Sequence, residues 1–259
     1  MIIEAYGLGL RTRRGWVFRD VDLTADEGEL HAVTGPAASG RTSLLLALAG
    51  RFPTTEGRLV RHGAAALGHV AGVHEPDPEL TVAEHVTERL LLLGPPRDLS
   101  SRAARRAYRR DALATALDGA GLTGGVPLDP AARGRDLAPV QRQVLGLVLA
   151  TLSRPRLIVA DDVDAGADPS ERAWLWAALA RLAAQGHAVV VSARAVEPGV
   201  GAIEHRLGPS AERPPGAGPA QAEPDPGTEA GPETQPDAEA RPEVGARGGA
   251  HTETLEVAR

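Results

Sequence analysis

Two short segments of the chain carry residue types suited to binding a phosphorylated ligand. Residues 35–42 read Gly-Pro-Ala-Ala-Ser-Gly-Arg-Thr, with glycines spaced so that backbone N–H groups can converge on phosphate oxygens. A helix starting at the end of this loop would add the positive end of its dipole, and Thr42 would offer a hydroxyl to Mg²⁺. Taken alone, the pattern leaves open an ordinary glycine-containing turn between a strand and a helix.

The second segment is an apolar run, Leu157–Ala160, which is followed by Asp161 and Asp162. We interpret it as a strand in which Asp161 holds Mg²⁺ through water while Asp162 polarises an attacking water. The alternative is a strand that ends in a solvated acidic turn. Both segments place their polar residues directly after an apolar run that is predicted to form a strand.

The elements that would position these residues alternate between strand and helix over residues 1–207. Strands are predicted at 2–8, 17–23, 30–34, 67–70, 157–160 and 188–191. Helices are predicted at 42–49, 82–93, 101–117, 140–152 and 171–184. This alternation predicts an α/β layered sheet, and the stretch from about 81 to 153 predicts a helical subdomain.

Composition excludes several classes of site. The 259 residues include no cysteine, so disulfides, zinc-thiolate centres and thiol catalysis are excluded. All 28 basic residues are arginine, because the chain has neither lysine nor asparagine. The longest apolar runs are far shorter than the ~20 residues needed to span a bilayer, and the N-terminus lacks a signal-peptide pattern. We therefore expect a cytoplasmic protein.

The chain changes character near residue 208. Residues 208–259 contain nine prolines, ten acidic residues and four arginines, which accounts for the whole formal charge of −6. Such a segment has too few large apolar residues to offset chain entropy. We predict a domain at 1–207 and a disordered, Pro/Gly/Glu-rich acidic tail at 208–259.

The order of further motifs resembles the nucleotide-binding cassette of ATP-binding cassette (ABC) transporters. Residues 137–143, Leu-Ala-Pro-Val-Gln-Arg-Gln, lie where that family has L-S-G-G-Q-R-Q, 24 residues before Asp161. Residues 165–168 lie where its D-loop would be, and residues 80–84, Leu-Thr-Val-Ala-Glu, match the segment that follows its Q-loop. The resemblance covers about residues 1–207.

The resemblance implies a P-loop NTPase fold of the ABC type, with ATP and Mg²⁺ bound. It implies nucleotide contacts from Gly35, Pro36, Ala37, Ala38, Ser39, Gly40, Arg41, Thr42, Ser43 and Asp168. Mg²⁺ would be held by Thr42 and, through water, by Asp161, while Asp162 stands at the general-base position and Arg194 at the switch-histidine position. The family also implies a dimer of cassettes and a separate membrane-spanning subunit at the inner face of the cell membrane.

Several positions depart from the family pattern. Arg41 replaces the Walker A lysine, and Ala138, Pro139 and Val140 replace the serine and two glycines of the signature motif. Asp162 is one methylene shorter than the usual glutamate, and a misplacement of ~1 Å can lower a rate ~10²-fold. We therefore expect Mg-ATP binding with slow or absent hydrolysis.

Two further positions of the family pattern are occupied differently. The position at which the family has its Q-loop glutamine falls near Gly72 in this chain. No aromatic residue lies at the position expected to stack on adenine, and Trp16 is the nearby candidate for that role.

Two other functions stay open from the sequence. One is a non-hydrolysing cassette that acts as a regulatory or structural interaction protein. The other is a soluble cassette that works on DNA or ribosomes, although the chain lacks a second cassette or a long coiled-coil insertion. Residues 1–207 have no net charge, so we expect no nucleic-acid partner.

Five arginines share one face of the predicted helix at 101–117. They indicate a contact with nucleic acid or with an acidic membrane surface, docking on a membrane-protein partner, or an ordinary solvated face. They are Arg102, Arg105, Arg106, Arg109 and Arg110.

Overall fold

The computed structural model describes residues 1–96, 99–118 and 125–209. In chain order its strands are β1 (Ile3–Thr12), β2 (Gly15–Ala25), β3 (Leu30–Thr34), β4 (Glu56–Arg61), β5 (Ala65–Leu67), β6 (Leu157–Ala160), β7 (Ala188–Ser192) and β8 (Ile203–Arg206). Its α-helices are α1 (Arg41–Leu48), α2 (Val82–Leu93), α3 (Arg102–Asp118), α4 (Pro139–Thr151) and α5 (Pro169–Ala184). The predicted disordered tail lies outside the described residues from residue 210 onward.

The central sheet has the strand order β5-β6-β7-β3-β8, and each pair of neighbouring strands is parallel. Strands β3, β6 and β7 are buried along their whole length, as expected for a sheet covered on both faces. Because the strands are parallel, their carboxyl ends meet at one edge. The segments that follow β3, β6 and β7 are therefore brought together there.

The two faces of the central sheet bury different residues of the same strands. Ile158 and Ala160 pack into a cluster with apolar residues of α4 and α5. Leu157 and Val159 pack into a second cluster with α1 and with strands β1 and β2. The alternation follows from the two-residue period of a strand, and it makes a three-layer α/β structure. The predicted α/β class is confirmed.

The structure has a second sheet besides the central one. The strands β1 and β2 pair with β4 in a separate antiparallel sheet of order β2-β1-β4. Strand β4 was not predicted, because its sequence Glu-Gly-Arg-Leu-Val-Arg lacks an apolar alternation. The strand expected at 67–70 forms earlier, at Ala65–Leu67, where it pairs with β6.

The middle of the chain is helical, as predicted, with α2, α3, α4 and a short 3₁₀ turn at Gly134–Asp136. α2 begins where predicted because Thr81 and Glu84 form a capping box: each side chain accepts a hydrogen bond from the other residue's backbone N–H. Within the described ranges, no helix is both long and apolar enough to cross a membrane.

The arginine face of α3 is mostly exposed, and only Arg109 is half-buried. Further along the same face, Leu113 and Leu117 pack against the core. The contact predicted for this face stays a prediction.

Candidate functional site

The phosphate loop lies between β3 and α1, as the sequence predicts. Gly40 has φ +86°, and a Cβ added there would lie 2.2 Å from the carbonyl oxygen of Val17. A Cβ added at Gly35 would lie 2.8 Å from the carbonyl oxygen of Leu207 and from Ser39 Oγ. Ala38 also adopts a left-handed conformation, with φ +61°. Both glycines are therefore required by backbone geometry and by space.

The loop presents donors that lack partners among the described residues. No side chain caps the N-terminus of α1, so its first backbone N–H groups stay available to an anion. Ser39 is buried, and its Oγ has no hydrogen-bond partner in the described part of the chain. A buried, unpaired hydroxyl is costly unless a ligand satisfies it, so this geometry fits a bound phosphate.

Thr42 and Asp161 meet at the head of the loop. Thr42 Oγ1 donates to Asp161 Oδ2 at 2.7 Å, although 119 residues separate them in sequence. Asp161 is 6% exposed, and its other oxygen accepts from Ser192 Oγ. A hydroxyl and a carboxylate held this close are the oxygen donors that Mg²⁺ takes beside phosphates and water. The residues present therefore fit a magnesium ion.

Asp161 is held in place by residues that the sequence analysis did not assign to the site. Gln143 of α4 donates from Nε2 to the carbonyl oxygen of Asp161 at 2.8 Å and lies 3.3 Å from Nδ1 of His69. Ser192, at the end of β7, also accepts from the backbone N–H of Asp162 at 2.9 Å. Ser192 could have been assigned from the sequence, because it directly follows the predicted strand at 188–191. It also lies two residues before Arg194, which was assigned to the switch position.

Arg41 and Asp162 form an ion pair across the carboxyl edge of the sheet. Nη2 of Arg41 lies 3.4 Å from Oδ1 of Asp162. Nη1 donates to the carbonyl oxygen of Ala193 at 2.7 Å. The Arg41 side chain is 15% exposed, that of Asp162 is 44% exposed, and Asp162 has φ +45°. The structure thus brings Arg41, Thr42, Asp161 and Asp162 together, as predicted.

Arg194 and Asp168 lie together in a different place. Both line an open cavity of about 680 Å³ with Asp164 and Arg172. The backbone N–H of Arg194 donates to Asp164 at 3.0 Å, while its side chain is exposed. The structure groups Arg194 with the predicted D-loop, so its assignment to the switch position stays a prediction.

Asp168 has a structural role in addition to the predicted nucleotide contact. Its Oδ1 accepts from the backbone N–H groups of Glu171 at 2.8 Å and Ser170 at 2.7 Å, and thereby caps α5. The backbone hydrogen bond from Glu171 is the main reason that the pKa of Asp168 lies below its usual value, and the Ser170 hydroxyl adds to it. The nucleotide contact predicted for Asp168 is not tested by this geometry.

The altered signature segment forms the N-terminus of α4. The backbone N–H of Ala138 donates to Oε1 of Gln141 at 2.9 Å, and Pro139 has no N–H to offer. A Cβ at Gly166 of the predicted D-loop would lie 2.9 Å from the Pro139 ring. In this segment the backbone N–H of Ala138 is therefore already engaged, and an N–H at position 139 is absent.

Trp16 lines a cavity of about 340 Å³ next to the phosphate loop. Its other lining residues include Phe18, Ser39 and Leu207. The guanidinium of Arg11 lies 5.4 Å from the centroid of the Trp16 ring, within the range of a cation–π contact. An aromatic wall beside the loop is consistent with the prediction that Trp16 contacts the base of a nucleotide.

A groove between β5 and α2 is lined by both polar and apolar side chains. Its cavity of about 200 Å³ is lined by residues that include His85, Glu88 and Arg89. Nδ1 of the buried His85 donates to the carbonyl oxygen of Thr81 at 2.8 Å, and its Nε2 has no hydrogen-bond partner in the described chain. Leu92, another lining residue, is 74% exposed. We call this feature the α2 groove.

A model of the ABC transporter family matches residues 18–165 of the chain. The chain is 34% identical over 199 residues to an ABC transporter ATP-binding protein of Streptomyces avermitilis, covering 73% of this chain and 33% of that protein. It is 28% identical over 203 residues to a ribose import ATP-binding protein of Rhizobium etli, covering 73% of this chain and 38% of that protein. The chain thus spans about a third of the length of these curated relatives.

Solved structures give the same fold. The dimeric bacterial ABC transporter cassette MJ0796 superposes with a TM-score of 0.62 at 21% identity, covering 81% of this chain and 96% of that chain. At this level of identity the likeness establishes the fold.

Proposed function

This chain belongs to the ABC transporter family, and on that premise we propose that it is the ATP-binding subunit of a membrane transporter. The observation that carries the proposal is the 2.7 Å hydrogen bond between Thr42 and Asp161. It joins the phosphate loop to the acidic end of β6, so a phosphate-bound Mg²⁺ would have ligands on both sides. Residues 35–43 would hold the phosphates of ATP.

Nucleotide binding is supported by the unpaired donors of the loop. The free N–H groups at the start of α1 and the buried Oγ of Ser39 would donate to phosphate oxygens. Thr42 and Asp161 would hold Mg²⁺, which when bound neutralises phosphate charge. In the described residues no group of three or more His, Asp and Glu side chains is placed to cage a metal, so the ion would need phosphate and water as further ligands.

Slow hydrolysis is supported by the short, ion-paired side chain of Asp162 and by the donors that the signature segment lacks. Asp162 is shorter than glutamate and is paired with Arg41, so it is poorly placed to polarise water. The signature segment presents neither a hydroxyl at Ala138 nor an N–H at Pro139. Loss of one such donor costs ~10²–10³ in rate.

Steady-state phosphate release from Mg-ATP tests this part of the proposal. We expect a rate near the assay background for the native chain and a measurable increase for Asp162→Glu, which restores the longer side chain. An ordinary ATPase rate in the native protein would contradict it. A chain that binds Mg-ATP but stays inactive after the substitution would favour the alternative of a regulatory, non-hydrolysing cassette.

We also propose that two cassettes dimerise and that a separate membrane-spanning subunit docks in the α2 groove, which places the protein at the inner face of the membrane. The support for this docking site comes from the side chains that line the groove. An exposed Leu92 and a buried His85 whose Nε2 has no partner in the described residues lie beside the charged side chains of Glu88 and Arg89. A buried polar atom without a partner, next to an exposed apolar side chain, fits a surface that a partner covers.

Site-specific photocrosslinking in intact membranes tests the groove. A photoreactive side chain at position 92 should yield a product that stays in the membrane after alkaline extraction. Ile203 is the matched control, because it is also an exposed apolar residue but lies on β8, at the opposite edge of the central sheet from β5. Equal crosslinking from both positions would contradict docking in the groove.

A further inference from the structure

The guanidinium of Arg41 joins the ends of two neighbouring strands. One terminal nitrogen donates to the carbonyl oxygen of Ala193, just after β7, at 2.7 Å. The other lies 3.4 Å from Asp162, just after β6. Both contacts are to the sheet edge that the phosphate loop faces, and the side chain is largely buried there. Arg41, the cation expected to contact phosphate, therefore already contacts two other groups of the protein.

The Asp162 carboxylate is partly exposed, and Arg41 is the cation that the described ion pairs place beside it. Its Oδ1 is buried and accepts no hydrogen bond within the described residues. The backbone of Asp162 has a left-handed conformation, φ +45°, and its N–H donates to Ser192. In this geometry its carboxylate lies beside Arg41.

The presence of arginine at position 41 matters to this arrangement. A guanidinium is a planar fork with two terminal nitrogens, whereas an ammonium is a single point charge. The fork lets one side chain contact the carbonyl oxygen of Ala193 and the carboxylate of Asp162 at once. A shorter acid at position 162 leaves room for the bulkier cation, so the two departures from the family pattern fit each other.

We propose that Arg41 is a latch on the nucleotide site. Its guanidinium closes over the ends of β6 and β7. A bound phosphate competes with Asp162 and with the carbonyl oxygen of Ala193 for the same two nitrogens. The inference rests on the proposed function, since it assumes that nucleotide binds at residues 35–43. It follows that the latch weakens nucleotide affinity and that Asp162 is released only when nucleotide is bound.

The test is a double-mutant cycle on ADP binding, measured by calorimetry on the full chain. Asp162→Asn removes the charge but keeps the size, and asparagine tolerates the left-handed backbone of this position. With Arg41 present, the substitution should tighten ADP binding about 2- to 5-fold, the range that cycles give for partly exposed ion pairs. In an Arg41→Ala background the same substitution should leave ADP affinity unchanged.

The comparison separates the latch from simple charge repulsion. ADP is the probe because it lacks the γ-phosphate, on which a nearby carboxylate would act most directly. An equal gain in both backgrounds means that Asp162 repels the nucleotide directly, and it overturns the latch. Unchanged affinity with Arg41 present also overturns it. In either case the native chain still binds nucleotide, so the proposed function survives.

A second measurement examines the pair without nucleotide. Unfolding by urea of the native chain, the two single variants and the double variant gives the coupling between positions 41 and 162. We expect a favourable coupling free energy between the two positions. A coupling of zero overturns the latch, whatever the ADP titrations show. If neither the native chain nor Asp162→Asn binds ADP or ATP, the proposed function fails and the latch fails with it.

Discussion

Gly40→Ala is the substitution whose effect the structure specifies most closely. Gly40 has φ +86°, and its added Cβ would lie 2.2 Å from the carbonyl oxygen of Val17. The left-handed conformation alone costs an L-residue about 1–2 kcal/mol. Relieving the overlap with a backbone atom adds about 1–3 kcal/mol, as overpacking does in well-packed regions. The expected loss in unfolding free energy is therefore about 2–5 kcal/mol.

Gly28→Ala is a matched control for the overlap. Gly28 has φ +88°, nearly the same as Gly40, but a Cβ there would have no heavy atom within 4 Å. Only the conformational part applies, so about 1–2 kcal/mol is expected. Urea unfolding of both variants, with unchanged denaturant slopes, isolates the difference. Gly40→Ala should also abolish ATP binding, whereas Gly28→Ala should retain it. Equal losses of stability would refute the close approach of the loop to β2.

The other predictions concern two buried histidines, the proposed metal ligand Thr42 and the aromatic side chain of Trp16. Burial lowers the pKa of His31 and of His205, so below about pH 6.5 the unfolded chain binds more protons than the folded one. Unfolding free energy should then fall as pH drops from 7 to 5, and a melting temperature independent of pH would contradict this. Thr42→Ala should weaken the Mg²⁺-dependent part of ATP affinity about 10-fold or more, while affinity without Mg²⁺ changes little; an equal loss in both conditions would argue against a metal at Asp161. Trp16→Ala should weaken ATP binding by about 1 kcal/mol or more, and unchanged affinity in a calorimetric titration would remove Trp16 from the base-binding wall.

Much of the central fold could be predicted from the sequence because its signals are local. The β3 strand, the glycine loop and the start of α1 are adjacent in the chain, and the predicted strand at 30–34 matches β3 residue for residue. The helix predicted at 82–93 matches α2 because Thr81 and Glu84 cap it. β6 also matches because four apolar residues end at an acid.

Other features depend on contacts between distant residues and left no local signal. The antiparallel sheet forms because β1 pairs with both β2 and β4, and β4 by itself is polar and contains glycine. Ser192 and Gln143 lie 31 and 18 residues from Asp161 in sequence, and only the fold brings them to it. The engagement of Arg41 by Ala193 spans 152 residues, so the sequence could reveal an unusual residue at position 41 but not its partner.

The roles of the site residues also depend on contacts that the sequence does not reveal. The phosphate loop, Thr42 and Asp161 were placed together from motif order, and the fold brings them into contact. Asp168 was assigned to nucleotide from its motif position, yet its visible hydrogen bonds cap α5. A motif position predicts where a residue lies in the chain; its hydrogen-bond partners depend on packing.

Calorimetric titration of Mg-ATP into the full chain tests whether residues 35–43 form a nucleotide site. We expect saturable binding with one nucleotide per chain, because the loop offers unpaired donors and the pair of Thr42 and Asp161 offers metal ligands. Binding should weaken when Mg²⁺ is chelated. No binding up to millimolar ATP would contradict this expectation, because residues 35–43 would then form a scaffold without a ligand.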